Sequence, residues 1–163
     1  MRSVSWILLL VCLFSLVASA GEIQESQVES LIKQLQDEDA EVRSNAVEAL
    51  GQIRSKDAVP ALIQALQDQD SWVHMNVAWA LGSIGKGAVD AVPALIKLLQ
   101  DQNWDIRNSA AMALGMIGKD AVPALIQTLQ DQDVQVRDAS AQALEKIGTP
   151  EALKAVEEYQ SQQ

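Results

Sequence analysis

Ala58-Val-Pro-Ala-Leu-Ile-Gln-Ala-Leu-Gln-Asp-Gln-Asp70 returns almost unchanged as Ala91-Val-Pro-Ala-Leu-Ile-Lys-Leu-Leu-Gln-Asp-Gln-Asn103, and again as Ala121-Val-Pro-Ala-Leu-Ile-Gln-Thr-Leu-Gln-Asp-Gln-Asp133. A more diverged copy runs Gln27-Val-Glu-Ser-Leu-Ile-Lys-Gln-Leu-Gln-Asp-Glu-Asp39. The equivalent valines are Val28, Val59, Val92 and Val122, so the period is 31, 33 and 30 residues. A period of that length marks stacked supersecondary units rather than one globular core.

Each unit predicts two helices. In the first, Val59, Leu62, Ile63 and Leu66 follow the i, i+3, i+4, i+7 spacing of a single helical stripe. Pro60, Pro93 and Pro123 fall in the first turn, where a missing N–H costs nothing. Asp57, Asp90 and Asp120 stand just before as candidate caps. The second helix opens after a Gln-Asp-Gln-Asp turn, with Asp70 as its predicted N-cap. Its stripe is Val73, Val77, Ala80, Leu81 and Ile84, matched by Ile106, Ala110, Ala113, Leu114 and Ile117, then by Val136, Ser140, Ala143, Leu144 and Ile147. Gly85, Gly118 and Gly148 follow as left-handed C-caps. Neither helix buries its stripe alone, whereas stacking buries both in a continuous core. Residues 149–160 read as one amphipathic helix closing the stack. No segment alternates with period two, so no strand is expected.

The string Asp-x-x-Val-Arg-x-x-Ala-x-x-Ala-Leu-Gly-x-Ile, present from Asp39 to Ile53 and again, with Asn103 leading, to Gly118, resembles the HEAT-like repeats of phycobilisome lyases, within the HEAT and armadillo α-solenoid superfamily. Gly148-Thr-Pro-Glu-Ala-Leu153 fits the same family. The resemblance covers residues 26–155 and implies an all-α, right-handed solenoid of four two-helix repeats, at about 27–57, 58–90, 91–120 and 121–148, plus the capping helix. It implies little about function, because repeat scaffolds serve many tasks.

Residues 1–20 are set apart. Arg2 is a short positive region, Trp6 to Val17 is apolar except for Ser15, and Ala18-Ser19-Ala20 supplies small residues before Gly21. This is the pattern of a cleaved secretory signal, which places the domain of residues 21–163 in a secreted or periplasmic location. The run is short for a membrane span of about 20 residues, and an uncleaved anchor is the alternative. Cys12, the one cysteine of the chain, lies in that run, so the domain beyond it has no thiol or disulfide. Cleavage leaves 11 basic and 22 acidic residues, a formal charge of −11. That surface repels phosphate backbones and anionic lipid headgroups, so neither nucleic acid nor a membrane is an expected partner.

The family suggests two enzymatic readings. Bilin attachment takes place where phycobiliproteins assemble, and a secretory signal argues against it. The HEAT-like hydroxylase of deoxyhypusine holds two irons with His-Glu pairs over several repeats, whereas this chain has one histidine, His74. His74 occupies the position of Arg43, Arg107 and Arg137, where the family's arginine pairs with an acid of a neighbouring turn. It reads as a substituted rung of that ladder, with a metal or pH role as the alternative. Asp68, Asp70, Asp101, Asp131 and Asp133 read as caps, because a calcium loop needs more converging oxygens than Asp68-Gln-Asp70 offers. No catalytic residue, metal site or cofactor is expected.

The outward face of the second helices breaks the repeat. In repeat one it carries Glu41, Ser44, Asn45, Glu48 and Gln52, and in repeat four Gln135, Asp138, Ala139, Gln142 and Lys146. Repeat two instead carries Trp72, Met75, Asn76, Trp79 and Ser83. Repeat three carries Asp105, Asn108, Ser109, Met112 and Met116, with Trp104 at the helix start. The resemblance places these positions on the concave side. Apolar residues there, beyond what a core needs, predict a site for a protein or peptide at Trp72, Met75, Asn76, Trp79, Trp104, Asn108, Met112 and Met116. The acidic rim favours a neutral or basic partner. A homodimer through the same face and a plain structural spacer are the competing expectations.

Overall fold

The computed structural model describes residue 22 and residues 24–162; the proposed signal segment, residues 1–20, lies outside them. Among the described residues every regular element is a helix. Helix α1 covers residues 24–34. It is followed by α2 (Ala40–Ile53), α3 (Val59–Ala65), α4 (Ser71–Ile84), α5 (Val92–Leu98), α6 (Trp104–Ile117), α7 (Val122–Thr128), α8 (Val134–Ile147) and α9 (Pro150–Gln160).

The long helices α2, α4, α6 and α8 lie side by side in one layer, and the short helices α3, α5 and α7 pack behind their own partners. Helix α9 covers the last pair through Ala152 and Val156. The core runs unbroken along the stack, with Leu50, Leu81, Leu114 and Leu144 fully buried at the same position of successive repeats. Ser140, in the place of an alanine, is also fully buried. Its Oγ donates to the Val136 carbonyl at 2.7 Å and lies 2.7 Å from Thr128 Oγ1, so the polar group is satisfied.

Each turn into a long helix uses two Asp or Asn side chains in series. Asp39, Asp70, Asn103 and Asp133 cap α2, α4, α6 and α8 by accepting from the N–H two residues ahead. The capping residue's own N–H is in turn held by Asp37, Asp68, Asp101 and Asp131, at 2.8 to 3.0 Å. The repeated aspartates are thus consumed as backbone acceptors.

Two local expectations need correction. Asp57, Asp90 and Asp120 do not cap the short helices, whose N-caps are Ala58, Ala91 and Ala121 without a side-chain bond. A 3₁₀ turn runs straight into each short helix, and proline there has no N–H to cap. Of the three C-capping glycines only Gly148 is left-handed, with φ 67° and ψ 14°. Gly85 and Gly118 keep positive φ but have ψ of −129° and −145°, a conformation open essentially to glycine alone. In the first repeat Arg54 takes the left-handed position, at φ 56°.

Candidate partner-binding face

The layer of long helices packs closely because α2, α4 and α6 each present a glycine to the next. A Cβ on Gly51 of α2 would stand 2.9 Å from Ala80 Cα and 3.0 Å from Trp79 Cζ3, both of α4. A Cβ on Gly82 of α4 would meet Ala113 Cα at 3.0 Å and Met116 Sδ at 3.1 Å. On Gly115 of α6 its nearest neighbours would be side-chain atoms of Lys146, with Cδ 2.5 Å and Cβ 3.1 Å away. The same notch is therefore covered by an indole edge, a thioether and a lysine stem in successive repeats. Trp79 and Met116 have a packing role that the helical spacing alone does not reveal, which amends the expectation that the core has no use for them.

Both residues nevertheless stay open to solvent. Trp72 and Trp104 are each 64% exposed, Trp79 48%, Met112 43% and Met116 39%. Met75, Asn76 and Asn108 are half-buried.

The tryptophans and asparagines among them line two grooves, and the methionines line neither. A groove of about 700 Å³ lies between α2 and α4. One wall carries Glu41, Ser44 and Glu48, and the other Trp72, Asn76 and Trp79. A second groove, of about 520 Å³, lies between α6 and α8. Trp104 and Asn108 line it with Gln135, Asp138, Gln142 and Glu145 of α8 and Tyr159 of α9. Counted from each N-cap, the two grooves use equivalent positions, one and five on the upstream helix against two, six and nine on the downstream helix. At the middle seam, between α4 and α6, those positions hold Met75 against Ser109 and Met112, with Asp105 at the start. Two Trp–Asn pairs, each spaced i, i+4, thus flank a methionine seam.

The electrostatics are one-sided. Among the described residues neither Glu41, Glu48 and Asp70 of the first groove nor Asp138 and Glu145 of the second is ion-paired. Gln52, Tyr159 and Gln160 donate neutral bonds to Glu48, Asp138 and Glu145. Asn76 donates Nδ2 to Ser44 Oγ at 2.6 Å, which leaves its carbonyl oxygen free to accept. Arg107 lines the second groove, is buried and donates Nη1 to the carbonyls of Asp101 and Gln102, at 2.7 and 3.0 Å.

The same two bonds recur at the other repeat arginines, Arg43 to Asp37 and Glu38, and Arg137 to Asp131 and Gln132. Arg43 also clasps Asp68 of the next repeat with Nε and Nη2, at 2.7 and 3.0 Å. That fork holds the Asp68 carboxyl below its ordinary range and raises the Arg43 guanidinium. Arg107 and Arg137 make no such pair, so the cross-repeat ladder has a single rung among the described residues. His74 interrupts the series, and its Nε2 is buried without a hydrogen-bond partner. The described residues bring together no group of three or more histidine, cysteine and acidic side chains able to hold a metal.

This architecture is a helical repeat solenoid. The model of HEAT repeats matches residues 28–115 and 92–162, and the chain belongs to that family. No curated protein is matched. Among solved structures, the complex of CpcE and CpcF of phycocyanin lyase from Nostoc sp. PCC7120 is similar at 30% identity and a TM-score of 0.60, over 83% of this chain and 64% of that one. Human deoxyhypusine hydroxylase is similar at 25% identity and a TM-score of 0.64, over 88% of this chain and 48% of that one. An engineered protein is similar at 29% identity and a TM-score of 0.57, over 82% and 68%. The fold is thus shared by enzymes, and function has to be argued from the face itself.

Proposed function

We propose that this chain is a non-catalytic interaction scaffold that acts outside the cytoplasm and binds a protein or peptide across the outward face of α4 and α6. One observation carries the reading: the central second helices expose tryptophan and methionine where the end repeats are polar. Exposed aromatics in a polar rim mark interaction surfaces, and methionine adapts to irregular partners. A non-catalytic role is supported by the turn aspartates, which are occupied as caps, and by a single histidine in the chain. The secretory pattern of residues 1–20 supports the location.

The test is affinity capture from the native extracytoplasmic fraction, comparing the protein with a Trp72→Ala/Met112→Ala variant. A protein held by the wild type and lost by the folded variant is the expected result. Equal eluates would refute binding on this face, and a change in oligomeric state between the two proteins would replace it with self-association. The similarity to the CpcE and CpcF complex supports a second reading, a subunit of a chromophore-attachment system. That reading requires visible absorbance in the protein as isolated or after incubation with a bilin.

A further inference from the structure

We infer that Met112 and Met116 are oxidation sites, and that conversion of Met116 to its sulfoxide uncovers the glycine notch between α4 and α6. The site goes beyond the proposed function and stands whether or not a partner binds this face. Sequence and fold gather the sulfur in one place. The chain has four methionines and one cysteine, and Met1 and Cys12 lie within residues 1–20. Every sulfur of residues 21–163 therefore belongs to Met75, Met112 or Met116, which sit on the two helices of a single seam. No thiol stands in that domain to be oxidised first. Met112 is 43% exposed and Met116 39%, whereas Met75 is half-buried, so a small oxidant meets the two residues of α6 from solvent.

The step is an oxygen transfer from a hydroperoxide. A lone pair of Sδ attacks one oxygen of hydrogen peroxide, the O–O bond breaks, an S–O bond forms and water leaves. Sulfur loses two electrons and the peroxide gains them. The product is polar where the thioether was apolar, and at Met116 its oxygen has nothing to bind in the notch. A Cβ on Gly82 would stand 3.1 Å from Met116 Sδ, with Ala113 supplying the other near atoms, Cα at 3.0 Å and Cβ at 3.4 Å. The mid-helix N–H groups of α4 and α6 are used within their own helices. Burying the new oxygen without a donor is costly, so it turns to water and draws the sulfur away from Gly82. The equivalent notches at Gly51 and Gly115 are covered by Trp79 and Lys146, so the cover made of sulfur is the one between α4 and α6. At Met112 the same reaction makes the centre of the outward face polar without opening a notch.

The test treats the purified protein with dilute hydrogen peroxide and divides it between peptide mapping by mass spectrometry and thermal melting. One added oxygen is expected at each of Met112 and Met116 ahead of Met75, together with a Tm lower by about 4 °C. Met116→Leu keeps the side-chain volume and has no sulfur to oxidise, so its Tm should hold through the same treatment. Met112→Leu keeps Met116 and should fall with the wild type. Methionine sulfoxide reductases should return the treated wild type to its starting Tm. No added oxygen at Met116 under peroxide that oxidises free methionine would overturn the site. A fully oxidised protein with an unmoved Tm, or an equal fall in Met116→Leu, would overturn the role of the notch.

Discussion

The seam between the first two repeats and the seam between the last two are built on the same glycine notch but are closed by different chemistry. At Gly51 the neighbour is the backbone and methyl of Ala80 together with the edge of Trp79. At Gly115 the nearest neighbour is the stem of Lys146. The first seam ties an indole of the outward face into the packing; the second is covered by the aliphatic stem of a lysine. A residue can therefore serve the stack and the partner surface together, and the repeat pattern alone does not separate the two.

The comparison breaks most readily at the notches. Gly51→Ala pushes a methyl into Ala80 and should destabilise by about 1–3 kcal/mol in chemical denaturation. Gly115→Ala only displaces a lysine stem and adds helix propensity, so it should be neutral or stabilise by up to about 1 kcal/mol. Equal losses at both positions would mean that the seams do not differ. Next in size is the indole. Trp79→Ala, which uncovers Gly51, should cost about 1–2 kcal/mol, whereas Trp72→Ala should stay within about 0.5 kcal/mol.

A smaller effect belongs to the interrupted arginine series. His74→Arg should donate to the two turn carbonyls of its repeat, as Arg43, Arg107 and Arg137 do in theirs, and should stabilise by about 1 kcal/mol. An unchanged or lower Tm would show that the histidine position is not equivalent. The smallest effect belongs to the ion pair of Arg43 and Asp68 across repeats. Asp68 has a depressed folded value, so its contribution is complete above the ordinary 3.8 and disappears as the pH falls through the lower folded value. The Tm gap between the wild type and Asp68→Asn, a few degrees at most for a surface pair, should be constant from pH 7 to 5 and close below about pH 3.8.

The fold is legible because four copies repeat one helical spacing. Val59, Leu62 and Leu66, or Ile106, Ala110 and Leu114, fall on one stripe whatever the exact helix ends, and they are buried. The caps are less so: Asp57 looks like an N-cap by position, yet a 3₁₀ turn takes that role through backbone geometry that composition does not carry. For the candidate site, the spacing of Trp72, Met75 and Trp79 identifies a common helical face. It does not identify the groove into which each side chain leans, which depends on the neighbouring helix and its register. Trp72 and Trp104 therefore read as one patch in the sequence and line two grooves in the fold. The packing of Trp79 on Gly51 links residues 28 positions apart, and nothing local to either signals it.

The central claim is that partners engage the outward face of α4 and α6, and the indole N–H resonances test it most directly. The protein would be labelled with ¹⁵N and titrated to saturation with the captured partner. The account predicts that the signals of Trp72, Trp79 and Trp104 shift or broaden together. Saturation with all three indoles unmoved would contradict it and place the binding surface elsewhere on the solenoid.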